Sequence, residues 1–253
     1  MKDSYSKKVV IELLKEIELE AEEIAIHDGR KTPDIRAWHD NEQYFIELKI
    51  KGDNPDEVEQ ERQTLRRGEI AGKETPTDYR NQLAAIISDA VSQINDYDPK
   101  HRAFHIVWLH SSGQNDELLN MRFHATLFGT QDLFSTERKG CMTCYYFKES
   151  SFFTHRNRLD GAILTYQNKL QLCINTLSPN YPAFKKSFMY QALSKGLCNP
   201  ENEVIKDWVM IASCDFDRKD KDQIIDYLRE KYCIKHLQPI DMKHYSAKIA
   251  FPR

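Results

Sequence analysis

Apolar residues recur at helical spacing near the start of the chain. Val10, Leu13, Leu14, Ile17, Ala21 and Ile24 line one stripe over residues 7–24. Within that stretch Glu23-Ile-Ala-Ile-His27 also alternates with period two, so the pattern predicts a helix at 7–22 and a strand at 23–27, with Asp28-Gly29 as a turn. Two further alternating runs, 33–39 and 43–50, flank Asp40-Asn41 and predict a β-hairpin. Residues 51–76 are polar and poor in large apolar groups, an insertion in which 55–67 has helix-forming composition. Leu83, Ile87, Ala90, Val91 and Ile94 then mark a second amphipathic helix over 77–96, stopped at Asp98-Pro99, and the apolar run 104–109 reads as a buried strand.

Beyond residue 110 the periodicity is weaker. Strands are expected at 121–128 and 142–147. A hairpin of 160–166 with 169–174 about Gln167-Asn168 is expected next, then a helix at 184–195, a strand at 208–213, a helix at 222–232 and one or two closing strands. The pattern predicts a mixed α/β (α+β) fold. Residues 1–110 form its core, and 111–253 either extend that core or form a second domain.

Composition narrows this picture little. At 253 residues with 40% hydrophobic and 30% charged side chains, the chain can bury a sizeable core. It has no apolar run long enough for a transmembrane helix and no signal-peptide pattern, so a cytoplasmic protein with reduced thiols and no membrane partner is expected. Cys141-Met-Thr-Cys144 has the spacing of half a zinc site, but no second half follows it. A formal net charge of −3 argues against non-specific coating of nucleic acid, although a local basic cleft is compatible with it.

The hairpin carries the candidate chemistry. A loop centred between Asp40 and Asn41 pairs residues whose numbers sum to 81, which sets Asp34 opposite Glu47. Alternation puts Lys49 on the same face, with Ile46, Leu48 and Ile50 on the other. Two carboxylates so close repel, and one takes up a proton unless a cation neutralises them. Paired hard oxygens suit Mg²⁺, and a neighbouring lysine can position or deprotonate an attacking water. The acid-x-Lys pattern is common in this chain, at 98–100, 137–139, 217–219 and 241–243, and a cross-strand salt-bridge face would use the same residues. Only the copy at 47–49 lies in an apolar alternation opposite Pro33-Asp34.

Thr32-Pro33-Asp34-Ile35 with Ile46-Glu47-Leu48-Lys49, in the order helix, three strands, helix, strand, resembles the PD-(D/E)xK nuclease superfamily over about residues 7–110. The resemblance implies a restriction-endonuclease-like core and Mg²⁺-dependent phosphodiester hydrolysis, with Mn²⁺ as a substitute ion. Asp34, Glu47 and the Leu48 carbonyl would hold the metal, and Lys49 would act on the water. The family often adds a glutamate from the first helix. Glu20, about 60° round from Ile17, borders the apolar stripe and is the first candidate, with Glu23 second. From the second helix Gln82, Ile86, Asp89 and Gln93 line one edge, and Gln93 is expected to hold water or phosphate. Lys51, Arg66, Arg67, Arg156 and Arg158 are the candidate nucleic-acid contacts, the last two within an aromatic and basic run that begins at Phe152. The resemblance further implies DNA rather than RNA as substrate, in restriction, phage defence or DNA processing. It also implies a homo-oligomer or a protein partner in such an assembly.

Two rival readings have residues of their own. Cys214-Asp215-Phe-Asp217 follows a predicted strand, a common position for a metal site in α/β folds. Alternatively, a nuclease-like fold serves as a non-catalytic subunit that binds nucleic acid or protein.

Overall fold

A computed structural model describes residues 2–25, 31–138, 140–204, 208–240 and 245–252. The first half of the chain runs α1 (Lys2–Glu16), β1 (Glu20–Glu23), β2 (Ile35–His39), β3 (Glu42–Lys51), α2 (Pro55–Arg66), β4 (Ala71–Pro76), α3 (Asn81–Tyr97), β5 (Phe104–Ser111) and α4 (Asp116–Phe128). The second half adds β6 (Gln131–Ser135), β7 (Gly140–Tyr145), α5 (Ser151–Thr154), β8 (Gly161–Tyr166), β9 (Lys169–Ile174), α6 (Tyr181–Phe184), α7 (Phe188–Ala192), β10 (Leu197–Cys198), α8 (Pro200–Val204), β11 (Val209–Ile211), α9 (Lys221–Tyr232), β12 (Leu237–Pro239) and β13 (Tyr245–Ala250). Among the described residues no helix is long and apolar enough to cross a membrane.

Seven strands form one mixed sheet in the order β1-β2-β3-β5-β8-β9-β10. β1, β2 and β3 are antiparallel neighbours, β3, β5 and β8 run parallel, β9 turns back antiparallel, and β10 is parallel to β9. The sheet therefore crosses residue 110: β8, β9 and β10 continue the sheet begun by the first half. Both faces are covered. On one, Val10 and Leu14 of α1 with Tyr181, Phe184 and Met189 pack on Tyr44, Ile46, Trp108 and Ile163. On the other, the α3 stripe of Leu83, Ile87, Ala90, Val91 and Ile94 joins Phe123 and Leu127 of α4 over Val107, Leu109 and Leu164. A smaller four-stranded sheet, β11-β7-β6-β12, packs under α9 through Met142, Met210, Ile224 and Leu228.

Several expectations are corrected. The first helix stops at Glu16, because Glu18 takes a left-handed conformation (φ 64°) and starts the turn into β1. That strand lies at Glu20–Glu23 rather than 23–27, and residues 26–30 lie outside the described residues. The segment 121–128 belongs to a helix, α4. Asn120, Phe123 and Leu127 bury one helical face there, Asp116 and Glu117 favour the helix start, and Gly129 ends it. The expected helix at 184–195 is broken into α6 and α7, with the Ser187 hydroxyl accepting the Tyr190 amide to start the second piece. The insertion contains α2 as expected, but it also contributes β4, which pairs antiparallel with β13 from the far end of the chain.

Gly129 is a position where the backbone requires glycine. Its φ is +56°, and an added Cβ would sit 2.6 Å from the carbonyl oxygens of both Lys148 and Glu149. Gly129→Ala is expected to destabilise the fold by about 1–3 kcal/mol, measured by denaturant unfolding. An unchanged midpoint would show that the α4 terminus relaxes freely.

Candidate functional site

The hairpin register is the one set by its turn. Asp40 takes φ +49°, which a two-residue loop tolerates in Asp, and the ladder runs from His39↔Glu42 to Ile35↔Ile46. One step further, Asp34 meets Glu47 through two side-chain-to-backbone bonds. The Asp34 amide donates to Glu47 Oε2 at 3.2 Å, and the Leu48 amide donates to Asp34 Oδ2 at 2.9 Å. Each carboxylate is thus fixed by the other residue's strand, which leaves Asp34 Oδ1 and Glu47 Oε1 to face other groups. Pro33, opposite Leu48 in the same register, has no N–H to offer the Leu48 carbonyl.

Cations occupy both remaining oxygens. Lys49 Nζ lies 2.7 Å from Glu47 Oε1, and Lys7 Nζ of α1 lies 2.8 Å from Asp34 Oδ1 and 3.0 Å from Glu23 Oε1. Gln93 reaches in from α3, donating through Nε2 to Glu47 Oε2 at 2.9 Å and to the Thr32 carbonyl at 2.6 Å. Both N–H bonds of that amide are used, so its Oε1 is the atom left to accept. Because the sheet is covered on both faces, Glu47 is only 2% exposed, while the side chains of Lys49 and Asp34 keep 28% and 16%. Burial lifts the Glu47 carboxyl to about 7; the Lys49 ammonium works against that shift and the Asp34 charge adds to it. For Lys7, partial burial disfavours the ammonium, but its bonds to Asp34 and Glu23 prevail and raise its pKa.

The structure brings Asp34, Glu47, Lys49 and Gln93 together. It does not bring Glu20. That residue is exposed on β1 opposite Trp38, four positions along β2 from Asp34, or about 13 Å at the usual strand rise. The early end of α1 turns the expected helical glutamate into an edge-strand residue. α1 contributes a lysine to the site instead. Sequence reasoning missed Lys7, which stands outside the apolar stripe and gives no local signal of its partner.

The expected nucleic-acid contacts separate. Lys51 ends β3 on the Lys49 face and lines a groove of about 1690 Å³ between α2, β13 and the starts of α3 and α4. The groove carries Arg80, Arg122 and Lys248 but also Asp53, Glu57, Glu61, Asp116 and Glu117, so it is not a basic channel. Arg66 is exposed at the end of α2, and Arg67 is bound to Glu69 by two bonds of 3.1 and 2.9 Å. Arg156 pairs with Asp215 at 3.3 Å and lies over the Phe153 ring, while the Arg158 carbonyl meets His105 Nδ1 at 3.0 Å. Both precede β8, at the end of the parallel strands opposite Lys51, so they are not part of the Asp34–Glu47 site.

The rival acids do not converge. Asp215 is exposed and spent on Arg156, and Asp217 accepts the Lys219 amide in a local turn at 2.9 Å. Residues 241–243 lie outside the described residues. Cys141 is exposed and Cys144 buried on β7, since three residues along a strand point to opposite faces. Compared with family models, curated proteins and solved structures, the chain matches none.

Proposed function

We propose that the protein is a Mg²⁺-dependent nuclease of the PD-(D/E)xK type, hydrolysing phosphodiester bonds of DNA in the cytoplasm. The observation that carries this reading is the facing pair Asp34 and Glu47, with Lys49 and Gln93 bonded to the buried member of the pair. The order α1, β1-β2-β3, α3, β5, with β5 parallel to β3, supports a restriction-endonuclease-like core.

The donor set fits a hard divalent ion. Asp34 Oδ1, Glu47 Oε1 and the Leu48 carbonyl are oxygens. The two ammonium groups that neutralise the carboxylates carry the charge that one Mg²⁺ would supply. When bound, the ion lowers the pKa of a water and stabilises charge building on the phosphate. Asp34 and Glu47 would hold it, and Gln93 fixes the Glu47 carboxylate and could offer its Oε1 to a water. Lys49, now on Glu47 Oε1 at 2.7 Å, would be freed by the ion and could then place its Nζ for the attacking water. Lys7 would have to give up Asp34 Oδ1 to the ion, and its contact with Glu23 Oε1 at 3.0 Å offers it a place to stay.

A second reading has an observation of its own. Lys7 and Lys49 already neutralise both carboxylates, as a structural salt-bridge network in a non-catalytic binding subunit would. The two separate on one experiment. Purified protein with Mg²⁺ or Mn²⁺ is incubated with plasmid, linear and single-stranded DNA and with RNA, and Mg²⁺ binding is measured by calorimetry for parent and Asp34→Ala. The nuclease reading expects metal-dependent cleavage of DNA and loss of Mg²⁺ binding in Asp34→Ala. Intact substrates throughout, or equal Mg²⁺ binding by the two proteins, would leave the salt-bridge network as the better account.

A further inference from the structure

A second group of ligand-bearing side chains lies away from the carboxylates, on the opposite half of the sheet. Cys173 of β9 and Cys198 of β10 are direct partners in a parallel pair, so their side chains share a face. It is the face covered by α4, since both thiols belong to the core that contains Phe123, Leu127 and Phe128. His124, on α4 between those aromatics, sets Nε2 3.4 Å from Cys198 Sγ. The imidazole nitrogen and the two sulfurs all lie within 4.8 Å of one another.

The plain alternative is a pair of core thiols with a histidine bonded to one of them. Geometry and charge favour more than that. A tetrahedral zinc ion with bonds of about 2.3 Å to sulfur and about 2.0 Å to nitrogen spaces its ligands roughly 3.5–3.8 Å apart. The His124–Cys198 separation of 3.4 Å is close to that, and the other two, both within 4.8 Å, would have to shorten towards it on binding. Soft thiolates and an imidazole select Zn²⁺ or Cu⁺ and reject Mg²⁺, so this group cannot be the ion site of the carboxylates. Charge decides between the soft ions. Cys173 is fully buried and Cys198 is 4% exposed, so thiolates there require full neutralisation. Two thiolates and a neutral imidazole balance a dication and leave Cu⁺ one negative charge in excess.

An approach for the ion exists on the histidine side. His124 is partly exposed and borders a cavity of about 420 Å³, also lined by Asn120, Lys148 and Gln171, so solvent reaches the group from the histidine. The site would also hold a weak point of the fold. β10 has two residues, so little backbone pairing secures it, and an ion shared by α4, β9 and β10 would clamp that edge.

We propose that His124, Cys173 and Cys198 bind one zinc ion, through Nε2 and two thiolates, with water in the fourth position. Binding exchanges the two thiol protons for the ion: Zn²⁺ enters, two S–H bonds break, two Zn–S bonds form, and both protons pass to solvent. This site is independent of the nuclease reading.

The test is metal content by plasma mass spectrometry on protein expressed with zinc and purified without chelator. One equivalent per chain is expected in the parent, in the exposed-thiol control Cys233→Ser and in Asp34→Ala. Cys173→Ala, Cys198→Ala and His124→Gln are each expected to weaken zinc retention about 10-fold or more. Cobalt exchanged into the unmutated parent provides a readout that needs no variant, since two thiolate ligands give sulfur-to-cobalt charge-transfer absorption. A parent that takes up no zinc and shows no such absorption would overturn the proposal. So would a quantitative Cys173–Cys198 disulfide in the folded protein, or loss of the zinc in Asp34→Ala.

Discussion

On the proposed nuclease reading, Lys49→Ala is expected to lower the Mg²⁺-dependent cleavage rate by about 10²–10⁴-fold, the range for removing a group that handles a proton or water in the transition state. The expectation follows from position. Lys49 shares a strand face with Glu47, holds its Oε1 at 2.7 Å and keeps about a quarter of its side chain exposed, so its Nζ can leave that contact for a substrate water. Mg²⁺ affinity should survive, because Asp34, Glu47 and the Leu48 carbonyl remain. This would separate Lys49→Ala from Asp34→Ala, where binding itself is expected to be lost. The fold should survive as well. Removing one partner of a buried ion pair is ordinarily severe because a charge is stranded, but Glu47, already lifted to about 7, can take up a proton instead. Single-turnover rates at saturating metal, with circular dichroism as the folding check, measure this. A Lys49→Ala rate equal to the parent's would remove Lys49 from the chemistry.

What the sequence revealed of this site, and what it hid, divides by range. Asp40-Asn41 fixes a local register, and that register places Asp34 against Glu47 without any knowledge of the rest of the fold. Gln93 was legible because the α3 stripe is long and regular, so its edge positions are defined. Glu20 takes a different place because the α1 stripe continues into β1: Ala21 is buried either as helix or as strand, and only the left-handed turn at Glu18 separates the two. Lys7 gives no signal because its partner, Asp34, lies on a distant part of the chain that only the docking of α1 brings near. Over 121–128 the apolar run is too short for periodicity to distinguish the strand it suggests from the helix α4 that forms. The β4–β13 pairing and the His124, Cys173 and Cys198 group join segments dozens to more than a hundred residues apart, beyond any local pattern.

The second large effect concerns Glu47 and pH. Its carboxyl is held at about 7 in the folded protein, against an ordinary 4.5 when unfolded. Between those values the unfolded chain has lost the proton and the native state still holds it. The native state therefore binds more protons, and stability falls as pH rises through that window. The contribution is fully favourable below about 4.5 and gone above about 7, a loss of about 3 kcal/mol, from 1.36 kcal/mol per pKa unit. For a chain of this length that is roughly 6–12 °C in melting temperature. Other groups titrate over the same range, so the measurement is the difference between the parent and Glu47→Gln, in chelator, from pH 5 to pH 8. The parent should lose stability relative to the glutamine variant across that interval. Mg²⁺ should then reverse the loss in the parent at pH 8 by binding the ionised carboxylate, and have no such effect on Glu47→Gln. Below pH 7 the same linkage would make a bound Mg²⁺ displace a proton, so its affinity should climb with pH and level off above 7. If parent and Glu47→Gln melt in parallel over the whole interval, Glu47 is not the buried, proton-holding member of the pair. The neutralisation of Asp34 and Glu47 by Lys7 and Lys49 would then be complete without an ion.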